Sequence, residues 1–103
     1  MTRLRFLLPL LSTVFISQHA AAADARQGET LAKRWCASCH AISRDQARAN
    51  TQAPPFSEIA KSKTFDAGRV ALFLLAPHPR MPDMNLTRNE ASDLAAYIAA
   101  QGR

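Results

Sequence analysis

The chain has 103 residues, 13 basic and 8 acidic, with a formal net charge of +5, a pI near 10.0 and 48% hydrophobic residues. That length holds one small domain and excludes a multidomain enzyme. The basic residues are scattered rather than gathered on one stretch, which argues against a nucleic-acid-binding surface.

The first element is a leader. Arg3 and Arg5 form a short positive region, and residues 6–16 are apolar apart from Pro9, Ser12 and Thr13. Ala20 to Ala23 supply small residues for cleavage after Ala22 or Ala23. This is the pattern of a secretory signal peptide. Its apolar run is shorter than the roughly 20 residues that a transmembrane helix needs. The expected division is a cleavable signal peptide over 1–23 and one domain over 24–103. Cleavage after Ala23 removes two basic residues and no acidic ones, leaving 80 residues with a net charge of +3. A domain of that size is seldom stable on an apolar core alone and needs a further staple.

Asp24 to Cys36 reads as a helix. Asp24 is placed to cap it, and Ala25, Gly28, Leu31, Ala32 and Trp35 recur at three- and four-residue steps along one face. Gly28 in mid-helix costs about 1 kcal/mol relative to alanine. The close approach of another helix would explain its presence. The helix runs into Trp35-Cys36-Ala37-Ser38-Cys39-His40, which holds both cysteines of the chain.

Three chemistries compete for that motif. Covalent haem attachment needs two thiols spaced to reach two vinyl groups, and a histidine beside the second thiol to meet the iron. A thioredoxin-like redox pair needs a strand–loop–helix setting, and no alternating β-branched run precedes Cys36. A tetrahedral zinc site needs four ligands, whereas Cys36, Cys39 and His40 supply three. The spacing, the leader and the small domain together favour haem as the staple.

Residues 41–55 are polar and end in Pro54 and Pro55, which marks a loop. Ser57 to Lys61 is a candidate short helix. From Thr64 or Asp66 a helical pattern runs to Ala76, with Asp66 as its cap. Val70, Leu72, Phe73, Leu74 and Leu75 make this helix apolar on most sides, which predicts that it is largely buried. Pro77, Pro79 and Pro82 then impose an extended segment. That segment holds three candidate second iron ligands, His78, Met81 and Met84. A thioether is soft and neutral and stabilises ferrous iron. Arg80, beside Met81, is placed to pair with a haem propionate or to remain in solvent. Thr87 followed three residues later by Glu90 is a capping box that opens the last helix. Ala91, Leu94, Ala95 and Ile98 form its apolar stripe with Tyr97 on the flank, and Gly102 is a natural stop. No segment carries a strong strand signal, so the expected fold class is all-α, with three to four helices and long irregular connections.

Over nearly all of Asp24 to Gln101 the chain resembles the small soluble class I c-type cytochromes, with a single Met/His-ligated haem. In that family a glycine eight residues before the first haem cysteine lets the first helix cross the last, and Gly28 stands there. The last helix carries a Leu-x-x-aromatic pattern, matched by Leu94 and Tyr97. A proline carbonyl after the motif usually accepts the proton of the ligand histidine, and Ala53-Pro54-Pro55-Phe56 offers Pro54. The axial methionine stands in a Met-Pro or Met-x-x-x-x-Leu setting, which Met81, Pro82 and Leu86 match and Met84 does not. The resemblance departs at Ala32, where the family usually carries an aromatic residue, with Trp35 nearby to fill the space. Lysines are also few, only Lys33, Lys61 and Lys63.

The resemblance implies one covalently attached haem c per chain, bound through Cys36, Cys39, His40, Pro54 and Met81, with His40 and Met81 on the iron. Met84 then packs against the haem edge. The expected function is that of a periplasmic electron carrier in a bacterium, cycling between Fe(II) and Fe(III), rather than an enzyme. With His19 in the leader, two histidines remain, which leaves little for acid–base catalysis. The implied partners are periplasmic redox proteins, with no small-molecule substrate and no nucleic acid. Membrane contact would come only through a partner or an uncleaved leader. An alternative role is that of a haem relay subunit within a periplasmic oxidoreductase complex. A third is a haem sensor with an open sixth position.

Overall fold

The computed structural model describes Met1 and residues 12–14, 22–46, 52–76 and 79–103. Most of the expected leader (residues 2–11 and 15–21), residues 47–51 of the expected loop, and Pro77 and His78 lie outside the described residues. The described residues form four helices and no strand: α1 Ala25–Trp35, α2 Phe56–Lys61, α3 Ala67–Leu75 and α4 Arg88–Ala100. No helix among them is long and apolar enough to cross a membrane.

Side-chain caps set where three of these helices begin. The Asp24 carboxylate accepts from the Arg26 and Gln27 N–H groups at 2.9 and 3.4 Å and opens α1. Asp66, rather than Thr64, opens α3 by accepting from the Arg69 N–H at 2.9 Å. At α4 the box closes in both directions: Thr87 Oγ1 accepts from the Glu90 N–H at 3.1 Å, and Glu90 Oε1 accepts from the Thr87 N–H at 3.0 Å. Hydrogen bonds from Thr87, its backbone first, hold the Glu90 carboxyl below its ordinary value. Each cap satisfies amides that a helix start leaves without partners.

α4 is the hub and packs against each of the other three helices, most extensively against α1. The α1–α4 crossing is centred on Gly28. A Cβ at this position would lie 2.0 Å from the Asp93 carbonyl oxygen and 2.8 Å from Tyr97 Cβ. Beside it, the Asp24 N–H donates to Asp93 Oδ1 at 2.7 Å. Ala32 is fully buried in the core, as are Ala91 and Leu94 of α4. With small residues on both faces, the helices approach closely and no aromatic is needed at Ala32. Trp35 is partly buried, packing against the core and lining the cavity described below.

Two expectations are corrected. α3 is not largely buried: Leu74 alone is, while Leu72 and Phe73 are 69% and 44% exposed. The reason is that α3 packs against α4 alone among the described elements, so one face is covered whatever the composition of the others. Tyr97, flanking the apolar stripe of α4, is buried against the crossing, and its hydroxyl donates to the Ile42 carbonyl at 3.0 Å. Gly102 does not end α4 through a left-handed backbone, since no described glycine has a positive φ. It instead sits where a Cβ would come 2.8 Å from Ala60 Cβ. The core is thin, with Leu94 the only large side chain fully enclosed among the described residues.

Candidate functional site

The end of α1 carries the paired cysteines. The Cys36 and Ala37 N–H groups both donate to the Ala32 carbonyl, at 2.9 and 3.1 Å, so the last turn of the helix tightens there. The Cys39 and His40 N–H groups then both donate to the Cys36 carbonyl, at 3.1 and 2.9 Å. Two successive tight turns therefore bring Cys36, Cys39 and His40 to the wall of one cavity.

That cavity has a volume of about 590 Å³, within the range of roughly 300–1,000 Å³ usual for cofactor sites. Trp35, Ala53, Pro54 and Pro82 supply apolar wall. Met81 and Met84 both line it, and Arg80 is the one permanently charged side chain among the described residues that do. Met81 is half-buried, whereas Met84 is buried and belongs to the hydrophobic core. Directly after Met84, Asn85 adopts a left-handed backbone with φ 48°, and its N–H donates to Asp83 Oδ1 at 3.0 Å. His78 lies outside the described residues and has no position to compare.

The imidazole of His40 is oriented from two sides. Its Nδ1 lies 2.6 Å from the Pro54 carbonyl oxygen. A carbonyl can only accept, so Nδ1 carries the proton and donates. Nε2 is then left with its lone pair, the state a metal ligand requires. The ring also packs against Phe56, with centroids 5.3 Å apart and planes tilted by 47°. Phe56 in turn meets Tyr97 edge-on at 6.3 Å, so the histidine rests on a stack anchored in α4. The Phe56 N–H donates to the Ala41 carbonyl at 3.0 Å and ties the start of α2 to the residue after His40.

The thiols are free of each other as a disulfide, Cys36 buried and Cys39 exposed. Burial, aided by the charge of Cys39, pushes the Cys36 thiol up to about 11. Reactive thiols ordinarily carry lowered values, and the Cys36 thiol is shifted the other way. Among the described residues no three His, Cys, Asp or Glu side chains gather as a metal-binding cluster. What remains is a mostly apolar cavity bearing two thiols, a histidine with a free Nε2 and two thioethers. That donor set suits a haem.

Comparison with known proteins agrees. Residues 23–98 match the family described as cytochrome C oxidase, cbb3-type, subunit III. The chain belongs to this family of c-type cytochromes. It is also 46% identical over 97 residues to cytochrome c-552 of Bradyrhizobium diazoefficiens, a match covering 94% of this chain and 93% of that protein. No solved structure matches. The four helices are those of the all-α class I cytochrome c fold, and as a c-type cytochrome the chain binds haem c covalently and transfers electrons.

Three residues of this cytochrome's cavity were not singled out from the sequence: Ser38, Gln52 and Trp35 as a lining residue. For Trp35 a signal was present, namely its place directly before Cys36. Gln52 stands in a polar loop like any other, and nothing in its setting distinguishes it.

Proposed function

We propose that this cytochrome is a periplasmic carrier of single electrons between redox proteins. In this reading Cys36 and Cys39 attach the haem through thioethers, His40 is the proximal ligand and Met81 the distal one. The observation that carries it is the pairing of His40 with Pro54, which fixes the imidazole tautomer and presents Nε2 to a cavity that the two cysteines share. Bound haem supplies an iron that accepts and releases one electron. Pro54 raises the basicity of His40 through its hydrogen bond, and Phe56 holds the ring plane. Met81 lines the cavity without being committed to the buried core, whereas the side chain of Met84 is already part of it. Arg80 is the cation positioned to face the propionates. The match to cytochrome c-552 covers 94% of the chain and so reaches well into the segment before Asp24, in line with a shared secretory leader.

A second reading, as a fixed haem relay within a larger oxidoreductase, draws on two observations. The matched family is described as an oxidase subunit, and α3 exposes Leu72 and Phe73, an apolar feature that a subunit face would cover. Purification of the mature protein by itself decides between them. A monomeric, reversibly reducible protein that stays in solution supports the carrier, and one that requires a second chain supports the relay. The ligand assignment is tested by Met81→Ala, which is expected to abolish the sulfur-to-ferric-iron charge-transfer band and to lower the potential. The same losses in Met84→Ala, with Met81→Ala retaining the band, would refute it.

A further inference from the structure

Residues 41–46 leave the attachment turn as a polar loop, and one side chain in that loop reaches back across it. Gln46 Oε1 accepts from the Ile42 N–H at 2.8 Å, and Gln46 Nε2 donates to the Ala37 carbonyl at 3.1 Å. Ala37 lies between the two cysteines and Ile42 lies two residues beyond His40. A single planar amide therefore bridges the backbone on both sides of His40. The bridge is half-buried, where competing water is reduced and each bond gains strength. The Ile42 carbonyl is held independently by the Tyr97 hydroxyl at 3.0 Å. The far side of the loop is thus anchored to α4, and Gln46 adds to the backbone bonds that hold the near side.

We propose that Gln46 is a positioning residue for His40. It fixes the backbone of the attachment turn, while Pro54 and Phe56 fix the imidazole. The proposal rests on the reading of His40 as an iron ligand. The Nδ1–H···O=C bond to Pro54 raises the electron donation of the imidazole, and donation favours the ferric state. Without the Gln46 bridge, the turn from 37 to 42 loses two restraints and the backbone of His40 moves away from Pro54. A longer Nδ1 bond leaves the imidazole a weaker donor and favours ferrous iron. The direction is therefore set: releasing the bridge raises the potential.

The test uses the holoprotein with its covalent haem. Gln46→Met removes both bonds at similar volume. The expected results are a raised midpoint potential, shifted His40 ring-proton signals in the reduced protein, and Ile42 amide exchange about tenfold faster, as the loss of one hydrogen bond implies. Gln46→Glu keeps an acceptor for Ile42 and replaces the donor to Ala37 by an acceptor, so Ile42 stays protected. Because its added charge itself favours ferric iron, the potential is compared only among the uncharged variants. Thr87→Ala serves as a control that weakens α4 at its cap without touching residues 37–46, and it leaves the potential in place. An unchanged or lowered potential in Gln46→Met, or an equal rise in Thr87→Ala, overturns the proposal. If Gln46→Met fails to accumulate with haem, the uncharged Gln46→Leu carries the comparison, and the absence of any rise overturns the proposal. A His40→Ala protein that keeps the wild-type low-spin spectrum would overturn the ligand reading itself, a result separable from any obtained at Gln46.

Discussion

Gly28→Ala offers the sharpest test of how the two terminal helices meet. In an isolated helix the change is favourable by about 1 kcal/mol, because alanine loses less backbone freedom. Here the added methyl group would stand 2.0 Å from the Asp93 carbonyl oxygen. An ordinary C···O contact is about 3.3 Å, so α1 and α4 must part by roughly 1.3 Å at their crossing. The obstructing atom belongs to the α4 backbone and cannot swing aside as a side chain would. Overpacking of this kind typically costs 1–3 kcal/mol and sometimes more, and a backbone obstruction belongs at or above the upper end of about 3 kcal/mol. Separation also loosens the bond from the Asp24 amide to Asp93, 2.7 Å long in the native crossing. After subtraction of the propensity gain, the expected net loss is about 2 kcal/mol or more. For a domain of this size that lowers the midpoint of thermal unfolding by roughly 8–16 °C. The measurement is far-ultraviolet circular dichroism on the haem-loaded protein, with haem absorbance followed in parallel. A Gly28→Ala protein as stable as the wild type, or more stable, would show that the helices do not cross at this residue.

Two further outcomes are expected. The Glu90 carboxyl is held below its ordinary value by Thr87, so its contribution to stability is present above the unfolded-state value near 4.5 and is lost as the pH falls through the folded-state value. Acid titration of stability should therefore flatten in Glu90→Gln, and a pH profile identical to wild type over the acid limb would contradict this. On α3, Leu72→Ser should change stability by no more than about 0.5 kcal/mol, as at other exposed sites away from special contacts. A loss of 2 kcal/mol or more in chemical denaturation would mean that Leu72 is buried after all.

The parts of the fold legible in the sequence are those governed by local chemistry. Asp24, Asp66 and the Thr87–Glu90 pair each act over three residues or fewer, so their helices start where a reader of the sequence would place them. The face of α1 was legible for the same reason, since Gly28 and Ala32 recur at helical spacing and both are buried. The burial of α3 was not. A run apolar on most sides gives no direction to its packing, and only the position of α4 decides that Leu74 turns inward while Leu72 does not. The partner of the Tyr97 hydroxyl was not legible either, because the Ile42 carbonyl is 55 residues away. At the site, the attachment motif marked Cys36, Cys39 and His40, and Pro54 entered only through the resemblance to the class I c-type cytochromes. Gln46 left no trace, because a glutamine in a polar loop is common and its two partners are backbone groups that the sequence does not distinguish.

The bond between the Asp24 amide and the Asp93 carboxylate has a consequence for leader removal. A cut directly after Ala23 would turn that amide into an α-ammonium group already facing a carboxylate oxygen, and the hydrogen bond would become an ion pair. A cut after Ala22 would leave the amide as it is and place the new charge one residue further out. The α1–α4 crossing would then read the position of the cut by a single residue, with Asp93 as the counter-ion for only one of the two possible new N-termini.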